Sequence, residues 1–188
     1  MKPKLLLHAC CGTCSALLPE RLSKDYQVDL FYFNPNIHPI SEYQTRLAGA
    51  RISAAKQGVG LIEDRYDPQE WLAAIKGLES EPEMGKRCPT CFEVRLYRTA
   101  KYAKEHQYDL FSTTLSVGRN KKAEVINPIG KRVSKIIQIP FLAGNFKKDF
   151  GLDWSVDRAK EWGIARQDYC GCVFSRKESM VRRQKSVE

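Results

Sequence analysis

Cysteine is the residue type whose placement says most about chemistry in this chain. Cys10, Cys11 and Cys14 lie in the run His8-Ala9-Cys10-Cys11-Gly12-Thr13-Cys14, Cys88 and Cys91 form a C-x-x-C, and Cys170 and Cys172 flank Gly171 in a C-x-C. Thiolates gathered from three distant parts of one chain converge on something soft, either zinc or an iron–sulfur cluster. Seven of them exceed what a single four-coordinate ion uses, so a polynuclear centre or two neighbouring metals is expected. Cys88 and Cys91 are three apart at the start of a helical pattern, which puts both sulfurs on one face and near a positive helix end. Gly171 allows a tight backbone path between Cys170 and Cys172. Cys10 and Cys11 are adjacent, so in an extended segment their side chains point apart.

Three other readings compete for the same thiols. A structural zinc site of four cysteines leaves the first cluster unexplained. Cys11-Gly12-Thr13-Cys14 has the form of a thioredoxin-type C-x-x-C between a strand and a helix, but a thiol–disulfide oxidoreductase would use neither Cys10 nor the other four. A disulfide framework is opposed by the odd count, by the 188-residue length and by the absence of a secretory pattern. Met1 to Cys10 faintly resembles a lipoprotein signal, yet its apolar run is only Leu5 to Leu7 with His8 following, where a signal needs roughly 7–15 apolar residues. No stretch approaches the roughly 20 apolar residues that span a bilayer. The expectation is a reducing, cytoplasmic setting without membrane attachment.

The elements that must position the thiols follow from the hydrophobic pattern. Strands are expected at Leu5–Ala9, Val28–Phe33, Val59–Glu63, Asp109–Leu115 and Ile136–Phe141. Helices are expected at Ser15–Lys24, at Ser41–Gln57 with Ser41 as N-cap and Gly58 as stop, and from Asp67 to Lys76 with Pro68 in first position. Further helices are expected at Pro89–Gln107, Asp153–Trp162 and Ser175–Gln184. Asn34 to Pro39 and Gly77 to Lys86 read as loops, and Lys121 to Lys135 as a basic segment interrupted by Pro128 and Gly130. Strands alternating with helices predict one α/β domain over 1–188, a parallel sheet with helices on both faces and a basic C-terminal helix. Ligands of such sheets gather at the carboxyl ends of the strands, where the first cysteine cluster and the Asn34–Pro39 loop fall. The composition, 43% hydrophobic and 10% aromatic, supports a packed core, and the net charge of +9 favours a polyanionic partner.

Four segments together resemble one family: His8-Ala9-Cys10-Cys11-Gly12-Thr13-Cys14-Ser15, Asn34-Pro35-Asn36-Ile37-His38-Pro39, Arg87-Cys88-Pro89-Thr90-Cys91-Phe92 and Tyr169-Cys170-Gly171-Cys172-Val173-Phe174-Ser175. Phe111 to Ser116 and Arg166-Gln167-Asp168 belong to the same pattern. The chain resembles the QueH family of epoxyqueuosine reductases. The resemblance implies an adenine nucleotide α-hydrolase-like (HUP-type) fold and reduction of epoxyqueuosine to queuosine at the tRNA wobble position. It also implies a [4Fe–4S] cluster with a second metal, iron or zinc, close by. The Ser-Gly-Gly-x-Asp-Ser phosphate loop of ATP-using relatives is replaced by the cysteine turn, so no ATP chemistry is expected. Carried over by position, Cys11, Cys88, Cys91 and Cys170 hold the cluster, and Cys10 and Cys172 serve the second metal or catalysis. Cys14 stands where some members carry Asp and is a third candidate ligand of that metal.

The implied reaction adds two electrons and two protons and releases the epoxide oxygen as water. It needs a low-potential donor such as ferredoxin or flavodoxin, and a proton source within hydrogen-bond reach. Tyr169, His38, His8 and Asp168 are the candidates, with His8, at a strand end, reading first as a packed histidine. Asn34 and Asn36 either contact substrate or shape their turn. The partner would be the anticodon loop of tRNA. Tyr43, Trp71, Phe92 and Tyr169 are candidates for stacking its bases. Lys121, Lys122, Lys131, Arg132 and Lys135, with Arg176, Lys177, Arg182, Arg183 and Lys185, are candidates for its phosphates. A zinc-stabilised RNA-binding module without catalysis is the remaining alternative.

Overall fold

Leu5, Leu6 and Leu7 are all fully buried, so the first strand has no solvent face. A strand that is apolar at consecutive positions is covered on both sides, as in the interior of a parallel sheet. The computed structural model describes residues 1–119, 121–150 and 152–184. Its strands are β1 (Lys4–His8), β2 (Gln27–Tyr32), β3 (Gly60–Glu63) and β4 (Leu110–Thr113). All pair in parallel in the order β3-β2-β1-β4. Helices α1 (Gly12–Ser15) and α2 (Leu18–Leu22) follow β1, and α3 (Ile40–Gln57) follows β2. Helices α4 (Pro68–Ala74) and α5 (Arg87–Glu105) join β3 to β4. Beyond β4 come a 3₁₀ turn (Thr114–Val117), α6 (Ala123–Ile137), α7 (Phe146–Phe150), α8 (Leu152–Glu161) and α9 (Val173–Gln184).

The chain steps outward from β1 to β2 to β3, then crosses back to β4. Right-handed crossovers therefore put α1 and α3 on one face and α5 on the other. Consistent with this, α1 packs on α3, while α5 packs on α6 and against β1 and β4. The expected doubly covered parallel sheet is present. The carboxyl ends of β1 and β4, which lie side by side, form its topological switch point. Among the described residues no helix is long and apolar enough to cross a membrane.

Several elements differ from the sequence expectation. The Ile136–Phe141 strand is reduced to one bridge, Phe111 to Phe141. Ile136 and Ile137 instead finish α6, which closes on Gln138 in the left-handed region at φ 58°. The helix wins because Ile126, Ile129 and Val133 put a buried apolar stripe on it. It runs through Pro128, and Gly130 lets Phe141 lie against its backbone, where a Cβ would stand 2.3 Å from the ring. The first helix is split into α1 and α2. The fourth strand stops at Thr113 and coils into the 3₁₀ turn. Ser41 lies inside α3, whose N-cap is Pro39. Asp67 caps α4 by accepting from Gln69 N and Glu70 N, and Gly58 closes α3 at φ 65°, both as expected. Lys185 and the side chains of Arg182 and Arg183 lie outside the described residues.

The cysteine turn is aimed by a backbone-to-backbone contact. A Cβ added to Gly12 would stand 2.5 Å from the Gly49 carbonyl carbon and oxygen, so α1 meets α3 with no side chain between them. Gly12→Ala should lower the unfolding free energy by about 1–3 kcal/mol through overpacking. Gly49→Ala should cost less, because its added methyl first meets Ile164 Cγ2, at 2.9 Å, a side chain that can shift. Urea unfolding of the two metal-free variants measures the difference, and equal losses would reject the backbone contact as the cause.

Candidate metal centre

The first thiol cluster sits where β1 gives way to α1. Ala9 N donates to Phe31 O at 2.8 Å, Asn34 Nδ2 donates to Ala9 O at 2.9 Å, and Cys10 N donates to Thr114 Oγ1 at 3.2 Å. The turn is thus tied to the ends of β2 and β4. Cys11 precedes α1 in extended conformation, and the change of direction brings its side chain beside that of Cys10. Their sulfurs are 3.9 Å apart, which corrects the expectation that they point apart. The sulfurs of Cys10, Cys11 and Cys14 all lie within 4.8 Å of one another, and all three residues are buried. Two sulfurs on one tetrahedral metal, with bonds of about 2.3 Å, lie roughly 3.8 Å apart, so this donor set fits a soft metal ion.

The other four thiols meet on α5 and ahead of α9. Cys91, Cys172 and Cys170 pack with Trp71 and Ile75. Cys170 and Cys172 have their sulfurs 3.6 Å apart. Cys88, Cys91, Cys170 and Cys172 together line a narrow cleft of about 20 Å³. Cys10, Cys11, Cys14 and Cys170 line a larger cavity of about 640 Å³. Cys170 therefore belongs to both walls, and the structure brings all three cysteine segments to one region. All seven thiols are free.

The electrostatics separates the thiols sharply. Sharing of protons from Cys11 and Cys14 holds Cys10 well below the ordinary thiol range, helped by Lys121 and the Thr114 hydroxyl. Lys121 Nζ is 4.0 Å and Thr114 Oγ1 3.5 Å from the Cys10 sulfur. Cys11 is pushed up to about 12 by the same sharing, and Cys14 is raised as well. The Cys172 thiol and the Ser175 hydroxyl hold Cys170 down to about 6, and Cys172 rises in turn. Burial pushes Cys88 up to about 11, outweighing the helix end that was expected to favour its thiolate. Cys172 stands just before α9, and its sulfur accepts from Ser175 N at 3.3 Å, in the place of a capping oxygen.

The remaining expected residues divide by position. Tyr169 and Asp168 line the larger cavity, and Tyr169 Oη donates to His38 O at 2.7 Å. His38 is not in the lining of either space. Its Nδ1 is 3.0 Å from Asn36 O, and its backbone N donates to Gly171 O at 2.8 Å. His8 is fully buried between Thr113 Oγ1 and Phe33 O, and burial lowers it to about 3. Asn34 shapes the cysteine turn, whereas Asn36 lines the narrow cleft. Tyr43 is buried in the protein interior, Trp71 and Phe92 are buried and line the narrow cleft, and Tyr169 lines the larger cavity. Lys121 turns inward to Cys10, which removes it from the expected phosphate set. Lys122, Lys131, Arg132, Lys135, Arg176 and Lys177 are exposed, with Arg132 paired to Glu93 at 2.8 Å.

Three buried arginines escaped the sequence reading. Arg46, 4% exposed, donates from Nη1 to Cys170 O at 3.1 Å and from Nη2 to Tyr169 O at 3.0 Å. Its Nε pairs with Glu42 at 2.7 Å. Arg87 Nη1 donates to the carbonyls of Glu79 and Glu81, which anchors the 77–86 loop over the narrow cleft. Arg95 donates to Cys91 O at 3.1 Å. The available signal was position: Arg46 lies on the same helical stripe as Tyr43, Leu47 and Ala50, and a charge on a buried stripe has work inside.

The family model for epoxyqueuosine reductase QueH matches residues 5–178. Proteins named epoxyqueuosine reductase QueH include one from Staphylococcus epidermidis, 39% identical over 182 residues, covering 93% of this chain and 76% of that protein. Another, from Thermotoga maritima, is 35% identical over 190 residues, covering 98% and 94%. Among solved structures, a predicted subunit of tRNA methyltransferase from Methanocaldococcus jannaschii superposes with a TM-score of 0.56 at 15% identity. The likeness covers 84% of this chain and 75% of that one. It bears on the fold alone, the parallel α/β arrangement expected from the sequence.

Cys170 and Cys88 are both partly exposed but differ in ionisation, and only the thiolate is nucleophilic. Iodoacetamide at pH 7 should therefore alkylate metal-free protein at Cys170 well before Cys88, as mapped by peptide mass spectrometry. The Cys170 rate should fall as the pH is lowered through about 6, where its thiolate is protonated. Alkylation of Cys88 first would contradict the assigned electrostatics.

Proposed function

The chain belongs to the epoxyqueuosine reductase QueH family, and we propose that it reduces epoxyqueuosine to queuosine at the wobble position of tRNA, with the thiol-lined cavity as the reaction chamber. The observation that carries this reading is the convergence of three cysteine segments on a cavity of about 640 Å³ at the sheet's switch point. Such a volume falls in the range of about 300–1,000 Å³ typical of small-ligand sites.

Cys11, Cys88, Cys91 and Cys170 hold a [4Fe–4S] cluster in this reading, and Cys10, Cys14 and Cys172 serve a second metal, iron or zinc. The position of Cys170 on both walls supports two adjoining centres, and the close pairs Cys10–Cys11 and Cys170–Cys172 each join a thiol of one centre to a thiol of the other. When bound, these metals supply one-electron transfers and a Lewis acid for the epoxide oxygen. The protein's own groups do the rest. Lys121 offsets the Cys10 thiolate, and Arg46 fixes the backbone of Tyr169 and Cys170. Tyr169 lines the cavity wall with its Oη–H donating to the His38 carbonyl, and delivers a proton to the leaving oxygen once that hydroxyl rotates away from the carbonyl. Exposed Lys122, Lys131, Lys135, Arg176 and Lys177 contact tRNA phosphates. A low-potential donor of the ferredoxin or flavodoxin kind supplies the two electrons. A reducing, cytoplasmic setting suits the seven free thiols.

Anaerobic purification with iron, sulfide and zinc analysis, a visible spectrum and an epoxyqueuosine-tRNA assay tests the reading. About four or more irons per chain with matching sulfide, broad absorbance near about 400 nm and turnover to queuosine are expected. Cys170→Ala should lose most of the iron together with more than 90% or so of the activity, since a thiolate ligand is removed. Tyr169→Phe should keep its iron and lose about 10²-fold or more in kcat, the scale of a removed general acid. One zinc per chain, no sulfide and no turnover after anaerobic reconstitution would sink the proposal.

A further inference from the structure

A buried N–H has given up its water and needs an acceptor inside the protein. Trp71, on α4, is fully buried, and its Nε1 has no hydrogen-bond partner among the described residues. The same is true of Arg87 Nε, on α5, and of Asn36 Oδ1, in the loop after β2. Three different elements thus bring an unmatched polar atom to one place, for all three residues line the narrow cleft with Cys88, Cys91, Cys170 and Cys172.

Of the three, Trp71 is the one with a single purpose. Arg87 is bonded through Nη1 to the carbonyls of Glu79 and Glu81, and the unmatched atom of Asn36 is an acceptor. An indole carries one polar atom, a donor, and here that donor is unmatched. Trp71 forms one packed cluster with Cys91 and Cys172, and Cys170 lies against it. Its ring also meets those of His38 and Phe174, with centroids 5.7 and 6.2 Å away, so it is held in place beside the thiols. A neutral thiol is a weak acceptor. Sulfur that carries the charge of a metal–thiolate centre is a stronger one. Donors to such sulfurs stabilise the more negative, reduced form of the centre and so raise its reduction potential.

We infer that Trp71 tunes the metal centre: its Nε1–H donates to a thiolate or sulfide sulfur held among the cysteines of this cleft and makes the centre easier to reduce. The N–H bond stays intact throughout, and the electron comes from a donor of the ferredoxin or flavodoxin class. The inference rests on the reading that an iron–sulfur cluster is bound here, and it gives Trp71 a task other than stacking tRNA bases.

The test uses anaerobically purified, metal-loaded full chain whose tryptophans carry an isotope label at the indole nitrogen. Electron–nuclear double resonance of the reduced cluster should show coupling to one labelled nitrogen and to its exchangeable proton. Only Trp71 can give this signal, since Trp154 is exposed on α8 and Trp162 packs in a separate cluster. Trp71→Phe should keep its iron, lose the coupling and shift the reduction equilibrium about 10-fold toward the oxidised form, the scale of one hydrogen bond to a charged group. For one electron that is a potential lower by about 59 mV. Ile75→Val trims the same packed cluster without removing a donor and should leave potential and coupling unchanged. A labelled wild type with no nitrogen coupling would overturn the inference, even if Trp71→Phe fails to fold, and would assign the indole to a buried water. An equal shift in Ile75→Val would also overturn it, as an effect of packing. Cluster and turnover without the coupling would reject the role of Trp71 and leave the reductase reading standing. Coupling without turnover would do the reverse. If the protein holds zinc and no sulfide, the cluster reading fails. The contact is then read from the Trp71 indole proton by nuclear magnetic resonance: a downfield move on zinc binding keeps it, and no move rejects it.

Discussion

The fork of hydrogen bonds from Arg46 ties the two parts of the site together. A guanidinium at 4% exposure has lost its water and must have its donors matched inside the protein. Arg46 does this with two consecutive carbonyls, Tyr169 and Cys170, and with Glu42 on its own helix. Helix α3 is in turn locked to the cysteine turn through the Gly12–Gly49 contact. One side chain thus carries the position of the first cysteine segment over to the last. Since Cys170 lines both spaces, its placement decides whether the thiols act as one centre or as unrelated groups.

The second constraint is charge. Thiolates withdrawn from water are costly unless cations or hydrogen bonds offset them. Lys121 approaches Cys10, while the side chains of Arg87 and Arg95 line the cleft of Cys88, Cys91, Cys170 and Cys172. The arginines also hold backbone, Arg87 the 77–86 loop and Arg95 the first turns of α5. A part of the net charge of +9 therefore faces the thiols rather than a polyanion outside. The basic residues left on the surface, such as Lys131 and Lys177, remain the ones suited to phosphate.

Backbone geometry sets how closely these groups approach. Gly171 has φ 113°, a conformation that other residues rarely adopt. A Cβ there would stand 3.0 Å from both Arg46 Nη1 and Ile37 Cγ1. The C-x-C spacing is thus a packing requirement as well as a ligand spacing. It lets the segment pass between Arg46 and the loop after β2, where His38 N donates to Gly171 O.

Chain pattern alone dictates the alternation of strands and helices, the burial of Leu5 to Leu7 and the edge on which the chemistry gathers. Each of these follows from local periodicity and from turn residues close by in the chain. The cysteine spacings, with the segments around them, also carried the family. The fifth strand was misread, because the Ile136–Phe141 run is equally apolar as the end of a helix, and burial of the Ile126, Ile129 and Val133 stripe chose the helix. The tertiary structure alone brought Cys10 beside Cys11, turned Lys121 inward, placed Tyr169 and Asp168 on the cavity wall and left His38 out of the lining of both spaces. Those outcomes depend on contacts between residues more than a hundred positions apart, such as Arg46 with Cys170. No local pattern encodes them, because the free energy that fixes a buried charge arises only once its distant partners are in place.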